Sequence, residues 1–243
     1  PYLYATLDDC SRVCAHGQWY LSECTENHVH GLQQAIFKRG VPFGYLSDNG
    51  SAMTAQEVEN GLARLGVSHS NTLPYSAYQN GKQEHFWTQI EGRLMPMLER
   101  VAPLTLPFLN RATQAWLEQE YNRKRHDDLG IPPLDRMLQG PDASRPAPSS
   151  EQMHVAFCRY ERRTQRRSDG TISIRRVRFE IPSRYRTLHH VWVRYRSWDL
   201  SSAYMVDPRS QNVLARLFPQ DKVKNADGRR RTLDPHDDVD VPE

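Results

Sequence analysis

Six strand-forming residues, Tyr2 to Leu7, open the chain, and the run breaks at Asp8-Asp9-Cys10-Ser11-Arg12. Val13 to Leu21 resumes the extended pattern, so the two runs predict a β-hairpin. Thr25 stands at an N-cap position, and Val29, Leu32, Ile36 and Phe37 recur at helical spacing as far as Lys38, with Gly40 as the stop. Phe43 to Leu46 is a short apolar strand halted by Asp48-Asn49-Gly50. Thr54 and Glu57 read as a capping box for a helix with the stripe Val58, Leu62 and Leu65, ended by Gly66. Val67 to Leu73 reads as a strand entering the Pro74 to Gly81 loop. Helices over Lys82 to Leu98, broken near Gly92 and Pro96, and over Leu106 to Arg123 complete this half. Strands alternating with helices predict α/β layers.

After residue 140 the pattern changes. Pro141 to Ser150 is linker-like in composition. Short β-runs follow at Val155–Tyr160, Thr171–Ile174, Val177–Ile181, Val191–Tyr195, Ala203–Val206 and Val213–Phe218, with Ser168-Asp169-Gly170 as a turn. The expected organisation is an α/β unit over residues 1–140, a linker over 141–150, a small all-β barrel over 151–225 and a charged, disordered tail over 226–243.

Hydrophobic residues make up 38% of the 243 positions, and no apolar run approaches the roughly 20 residues of a membrane span. No membrane partner is therefore expected. Cys10, Cys14, Cys24 and Cys158 show neither zinc-type pairing nor a disulfide framework, which fits reduced thiols in a cytoplasmic protein. The net charge of +3 conceals a strong asymmetry. Residues 1–150 carry 13 Lys and Arg against 16 Asp and Glu, whereas residues 151–233 carry 19 against 8. A basic block of that size suits a polyanionic partner, although solvated strand faces produce the same composition.

The candidate chemistry lies in the first half. Asp48 ends an apolar strand, Glu84 opens a helix, and 35 residues separate them. Two carboxylates so placed can converge on a divalent metal, the requirement of phosphodiester chemistry. Each acid alone has a plainer explanation: Asp-Asn-Gly is a good turn, and Glu favours a first helical turn. In the loop before Glu84, Tyr75, Gln79, Asn80 and Lys82 offer ring, amide and ammonium groups to a nucleic-acid strand. In the basic half, Arg175, Arg176, Arg194 and Arg196 alternate with apolar residues and are read as outward-facing phosphate contacts.

The Asp48-to-Glu84 pattern resembles the second and third acids of the DDE transposase and retroviral-type integrase core. Tyr2 to Arg12 resembles the strand and turn that follow the first acid in that family. Tyr121-Asn122-Arg123-Lys124-Arg125-His126 with Gly130-Ile131-Pro132-Pro133 resembles the segment closing many transposase cores, and Tyr185 to Val206 resembles the C-terminal barrel of Mu-type transposases. The resemblance implies a ribonuclease-H-like core whose first strand and first acid lie upstream of residue 1. It assigns Asp48 and Glu84 to catalysis and to Mg²⁺ or Mn²⁺, two ions in the complete protein. It also implies DNA partners (element ends and target), a homo-oligomer on DNA, a helper ATPase, and bacterial cytoplasmic location at the nucleoid. Glu91 departs from the pattern, since many relatives carry Lys there. Two alternatives stand beside transposition: a ribonuclease-H-like nuclease without strand transfer, and a DNA-binding or assembly protein that does not cut.

Overall fold

The computed structural model describes residues 1–72, 81–141, 143 and 145–220. The chain divides into two compact units, Pro1–Ala156 and Phe157 onward. In the first, β1 (Tyr2–Leu7) and β2 (Cys14–Tyr20) form the expected antiparallel hairpin. Its turn is closed by Asp8, whose Oδ2 accepts the Ser11 backbone N–H at 2.7 Å and the Ser11 hydroxyl at 2.6 Å. Helix α1 (Thr25–Arg39) packs on one face of the hairpin and ends at Gly40, whose φ of 84° suits glycine. Val29, Leu32 and Ile36 are buried as expected, but Phe37 is 41% exposed; His28, Gly31 and Ala35 complete the buried stripe. Thr25 is the first helical residue, not the cap; Cys24 takes that place without a side-chain bond.

β3 (Gly44–Ser47) and β4 (Ser68–Asn71) lie parallel, joined by α2 (Gln56–Arg64). The expected capping box is absent: Ala55 is the N-cap, and Thr54 Oγ1 instead donates to the Gly50 carbonyl at 3.2 Å. α3 (Gly81–Gln89) continues through a π-helical segment, Ile90–Leu94, into α4 (Met95–Leu98), so where a kink or break was expected near Gly92 and Pro96 the helical run is unbroken and changes type around Gly92. α5 (Leu106–Trp116) likewise runs into a π-helical segment, Leu117–Tyr121. Phe86, Ile90, Leu94, Leu109, Trp116 and Leu117 build the core against the second face of the hairpin. Gly17 lets β2 come close to this layer, because a Cβ there would lie 3.0 Å from Leu117 Cδ1.

The outer edge of β2 is paired with side chains. Asn110 Oδ1 accepts from the Trp19 N–H at 2.7 Å, and its Nδ2 donates to the Trp19 carbonyl at 3.1 Å. Asn122 does the same for Cys14, at 2.9 and 3.2 Å, and Gln114 Nε2 donates to the Gly17 carbonyl. Three amides spaced along one helical stretch thus stand in for a neighbouring strand.

α6 (Pro133–Gln139) and α7 (Ser150–Ala156) complete the unit. Part of the expected linker is fixed to it, since Arg145 and Val41 exchange backbone bonds at 2.8 and 3.2 Å. Of the strand expected over Val155–Tyr160, Val155 and Ala156 belong to α7 and only Arg159 and Tyr160 are extended, at the start of a strand that runs on to Thr164; Met153 of α7 is buried and its carbonyl accepts from Gln33 at 3.2 Å.

The second unit holds β5 (Arg159–Thr164), β6 (Thr171–Ile174), β7 (Val177–Glu180), β8 (His190–Tyr195), β9 (Ala203–Val206) and β10 (Val213–Leu217). All are antiparallel, but their ladders do not close into the expected barrel. They form a four-stranded sheet, β10-β9-β8-β5, and a separate β6-β7 hairpin. Single bridges, Arg166 to Thr171 and Phe179 to Pro219, tie the hairpin to the chain beside the sheet. One core of Ile172, Ile174, Phe179, Val193, Tyr195 and Met205 joins them. The expected tail, 226–243, lies outside the described residues.

Asn122 is fully buried, so Asn122→Ala leaves the Cys14 N–H and C=O unpaired inside the protein. The expected loss is about 3 kcal/mol, read from urea unfolding, because each orphaned buried group costs about 1–3 kcal/mol.

Candidate active site

The end of β3 is held to the β4 side by two side-chain contacts. The Ser47 hydroxyl meets His69 Nε2 on β4 at 2.9 Å, and Asn49 Nδ2 donates to the Thr72 carbonyl at 2.8 Å. Asp48 between them is exposed, and its Oδ1 accepts the Gly50 N–H at 2.8 Å. A Cβ at Gly50 would lie 2.9 Å from that same oxygen, so glycine here sets where the carboxylate rests. Beneath lies His28, 3% exposed, with its ring 5.4 Å from Tyr4 and 6.1 Å from Tyr45. Burial depresses its pKa to about 4 from the ordinary 6.5, against the smaller opposing pull of the Asp48 charge. Its signal in the sequence was the spacing to Leu32, one turn along the buried stripe of α1.

Glu84 occupies the first turn of α3 and is exposed. Lys82 fastens that turn to the loop after β1 through a 2.5 Å ion pair with Asp9. Lys82 therefore already has an acidic partner in the protein. Asp48 and Glu84 line the same open cavity, about 1430 Å³ in volume. Among the described residues no three His, Cys, Asp or Glu side chains gather closely enough to hold an ion. The two carboxylates fit Mg²⁺ or Mn²⁺ in donor type, because hard cations take carboxylate oxygens and Mg²⁺ keeps several waters. Tyr75, Gln79 and Asn80 lie outside the described residues.

In the β-unit the candidate arginines separate. Arg194 turns inward: it is 7% exposed, donates to Gln211 Oε1 at 2.8 Å and lies 5.9 Å from the Tyr160 ring centre. The expectation that it faces outward is corrected by the pairing of Arg194 with Tyr160 across β8 and β5, which leaves its guanidinium against protein. Arg196 is half-buried. Arg175 and Arg176 are exposed and form the whole two-residue turn between β6 and β7. Their φ values are 46° and 70°. A Tyr160–Trp192 stack, 4.7 Å between centres, was missed in the sequence because the two rings are diagonal neighbours on strands 32 positions apart.

With this geometry in place, known proteins supply a comparison. Residues 1–77 match the integrase core domain. The match takes in Asp48 and stops short of Glu84. No curated protein matches the chain. The simian T-cell lymphotropic virus intasome, solved with PP2A regulatory subunit B56 gamma, shares the fold at a TM-score of 0.51 and 15% identity, covering 89% of this chain and 69% of that one. The catalytic core of BIV integrase aligns at 23% identity and a TM-score of 0.47, covering 56% of this chain and 85% of that one. The HTLV-2 integrase core, solved with magnesium in a trimeric form, aligns at 21% and 0.44, covering 55% and 82%. The fold of the integrase-like unit is ribonuclease-H-like, as the sequence resemblance implied.

The buried histidines give this unit a directional pH dependence. His28 and His16 are both held near pKa 4 by burial, against 6.5 when unfolded. Between those values the unfolded chain binds more protons than the folded one, so stability falls as pH falls from 6.5 towards 4. The urea midpoint should drop over that window and hold above it. His28→Gln should flatten part of the drop.

Proposed function

We propose that this chain carries the catalytic core of a DDE-type transposase or integrase, a polynucleotidyl transferase acting in DNA integration. The observation that carries the reading is that Asp48, at a strand end, and Glu84, in a helical first turn, line one cavity within a unit whose first 77 residues match the integrase core domain. Asp48 and Glu84 would hold Mg²⁺ or Mn²⁺, which when bound activates the attacking oxygen and stabilises the leaving one. The chain's own part is positional. Gly50 N–H fixes one Asp48 oxygen and leaves the other available, while Lys82 at the start of α3 meets Asp9 in an exposed ion pair. In this reading the first acid comes from a strand preceding Tyr2, and Asp8 stays in its turn with Ser11.

DNA contact is supported by the Arg175-Arg176 turn. Two-residue hairpins of this kind favour Asn-Gly, because both residues need positive φ. Left-handed backbone at residues with a Cβ costs about 1–2 kcal/mol each. Two arginines displayed at an exposed tip against that cost suit phosphate binding better than fold stability. A homo-oligomer assembled on DNA, able to hold both element ends and target, completes the proposal.

One observation favours a second reading, a DNA-binding or assembly protein that does not cut: the described residues offer no third metal-ligating side chain beside the pair. Joining of a labelled element end into plasmid DNA with Mg²⁺ or Mn²⁺ separates the two. The 243-residue chain should be inactive, and a version extended through the upstream strand should be active and lose activity with Asp48→Asn or Glu84→Gln. Joining by the short chain that disappears with Asp8→Asn would relocate the first acid. Inactivity of the extended version would favour the assembly protein.

A further inference from the structure

The β6–β7 hairpin ends in Arg175 and Arg176, both exposed, and among the described residues neither guanidinium has a hydrogen bond or an ion pair. Arg178 on the same hairpin differs, since it meets Asp169 at 3.2 Å. The tip is therefore an uncompensated positive point at one end of the β-unit. The last described residues run towards it. The Phe218 carbonyl accepts the Glu180 N–H at 3.2 Å, and the Gln220 N–H donates to the Arg178 carbonyl at 2.7 Å. These bonds flank the Phe179–Pro219 bridge and make the segment antiparallel to β7. Passing from Pro219 to Gln220 is thus passing from Phe179 back to Arg178, with Arg176 two positions further on. At roughly 3.4 Å per residue, the tip lies about 7 Å ahead.

The sequence beyond this point is polarised. Residues 221–233 hold five Lys or Arg against two Asp, and residues 234–243 hold five acids with no Lys or Arg. The 13 residues between Gln220 and Asp234 reach at most about 45 Å, several times the distance to the tip, so the acids can return to it. A segment joined to its site by so short a chain meets it at an effective concentration on the order of mM. Contacts too weak to hold two separate molecules then suffice. Charge supplies them: exposed carboxylates and guanidinium groups attract over about 10 Å at 0.1 M salt, falling to about 3 Å at 1 M.

We propose that the acidic segment 234–243 docks on the Arg175-Arg176 turn of its own chain and occupies it in place of nucleic acid. The turn is then a shared site, open to DNA only when the segment is displaced. A polyanion with many phosphates displaces it by mass of charge, and raised salt weakens both contacts together. The competition rests on the DNA contact proposed above; the docking does not.

The test uses the full chain in two variants. One neutralises the acidic segment (Asp234→Asn, Asp237→Asn, Asp238→Asn, Asp240→Asn, Glu243→Gln), and the other the tip (Arg175→Gln, Arg176→Gln). Docking is read without DNA, from the side-chain Nε–H resonances of Arg175 and Arg176. They should differ between the unaltered and acid-neutralised chains at low salt and coincide at 1 M. A peptide of residues 234–243 added to the acid-neutralised chain should restore them. Competition is read from affinity for a short labelled DNA duplex. Neutralising the acids should tighten binding about tenfold at 0.1 M salt, and the gain should vanish when the tip is neutralised too. Resonances that ignore the acids overturn the proposal. A difference that grows with protein concentration overturns it as well, by naming a second copy as the donor. An affinity gain that survives the tip substitutions is bulk charge and overturns the competition. Resonances that follow the acids while DNA ignores the tip uphold the docking and overturn the DNA contact proposed above.

Discussion

The amide clamp on β2 is the constraint on which the integrase-like unit depends. Asn110, Gln114 and Asn122 satisfy the outer edge of β2 from α5 and the turn that follows it. That contact fixes the register between the hairpin and the helical layer, because on β2 the amides meet Trp19, Gly17 and Cys14. Burial of Phe86, Ile90, Leu109 and Leu117 supplies the non-directional part of the same interface. With β2 closed by side chains, β1 is left as the edge that faces β3, and the cavity with Asp48 at its margin follows from that arrangement. One polar clamp therefore decides which edge of the hairpin is open.

The electrostatic organisation follows the same division of labour. The integrase-like unit places its candidate acids on exposed ground, where an ion and a phosphate can approach. Two of its buried histidines, His16 and His28, are neutral near physiological pH because burial penalises their charged form. In the β-unit many arginines serve the fold: Arg178 pairs with Asp169, Arg163 with Glu161, and Arg194 packs on Tyr160. Net charge alone thus overstates the cationic surface. Arg175 and Arg176, at a tip the backbone adopts at a cost, are the better candidates for a polyanion.

Much of this was legible in the chain. The β1–β2 hairpin, the stop at Asp48-Asn49-Gly50 and the strands from Thr171 onward follow from alternation and turn residues. The resemblance also singled out Tyr121-Asn122, and the clamp on Cys14 gives the asparagine its physical reason. The failures have definable causes. Thr54 looked like a helix cap, yet its hydroxyl was taken by the Gly50 turn that also positions Asp48. The strand read over Val155 to Tyr160 starts late, at Arg159, because Met153 finds a buried place on the first unit and draws Val155 and Ala156 into α7. Arg194 sits in an alternating pattern whose outward phase was assumed; pairing with β5 turned it in.

The central claim is that Asp48 and Glu84 serve one metal ion. Paramagnetic Mn²⁺ titrated into the isotopically labelled chain tests it through the amide signals around Gly50 and at the start of α3. The account predicts that both sets broaden together with a single affinity, and that Asp48→Asn abolishes the effect on α3 as well as on its own turn. Broadening confined to one segment, or an α3 response untouched by Asp48→Asn, would contradict it.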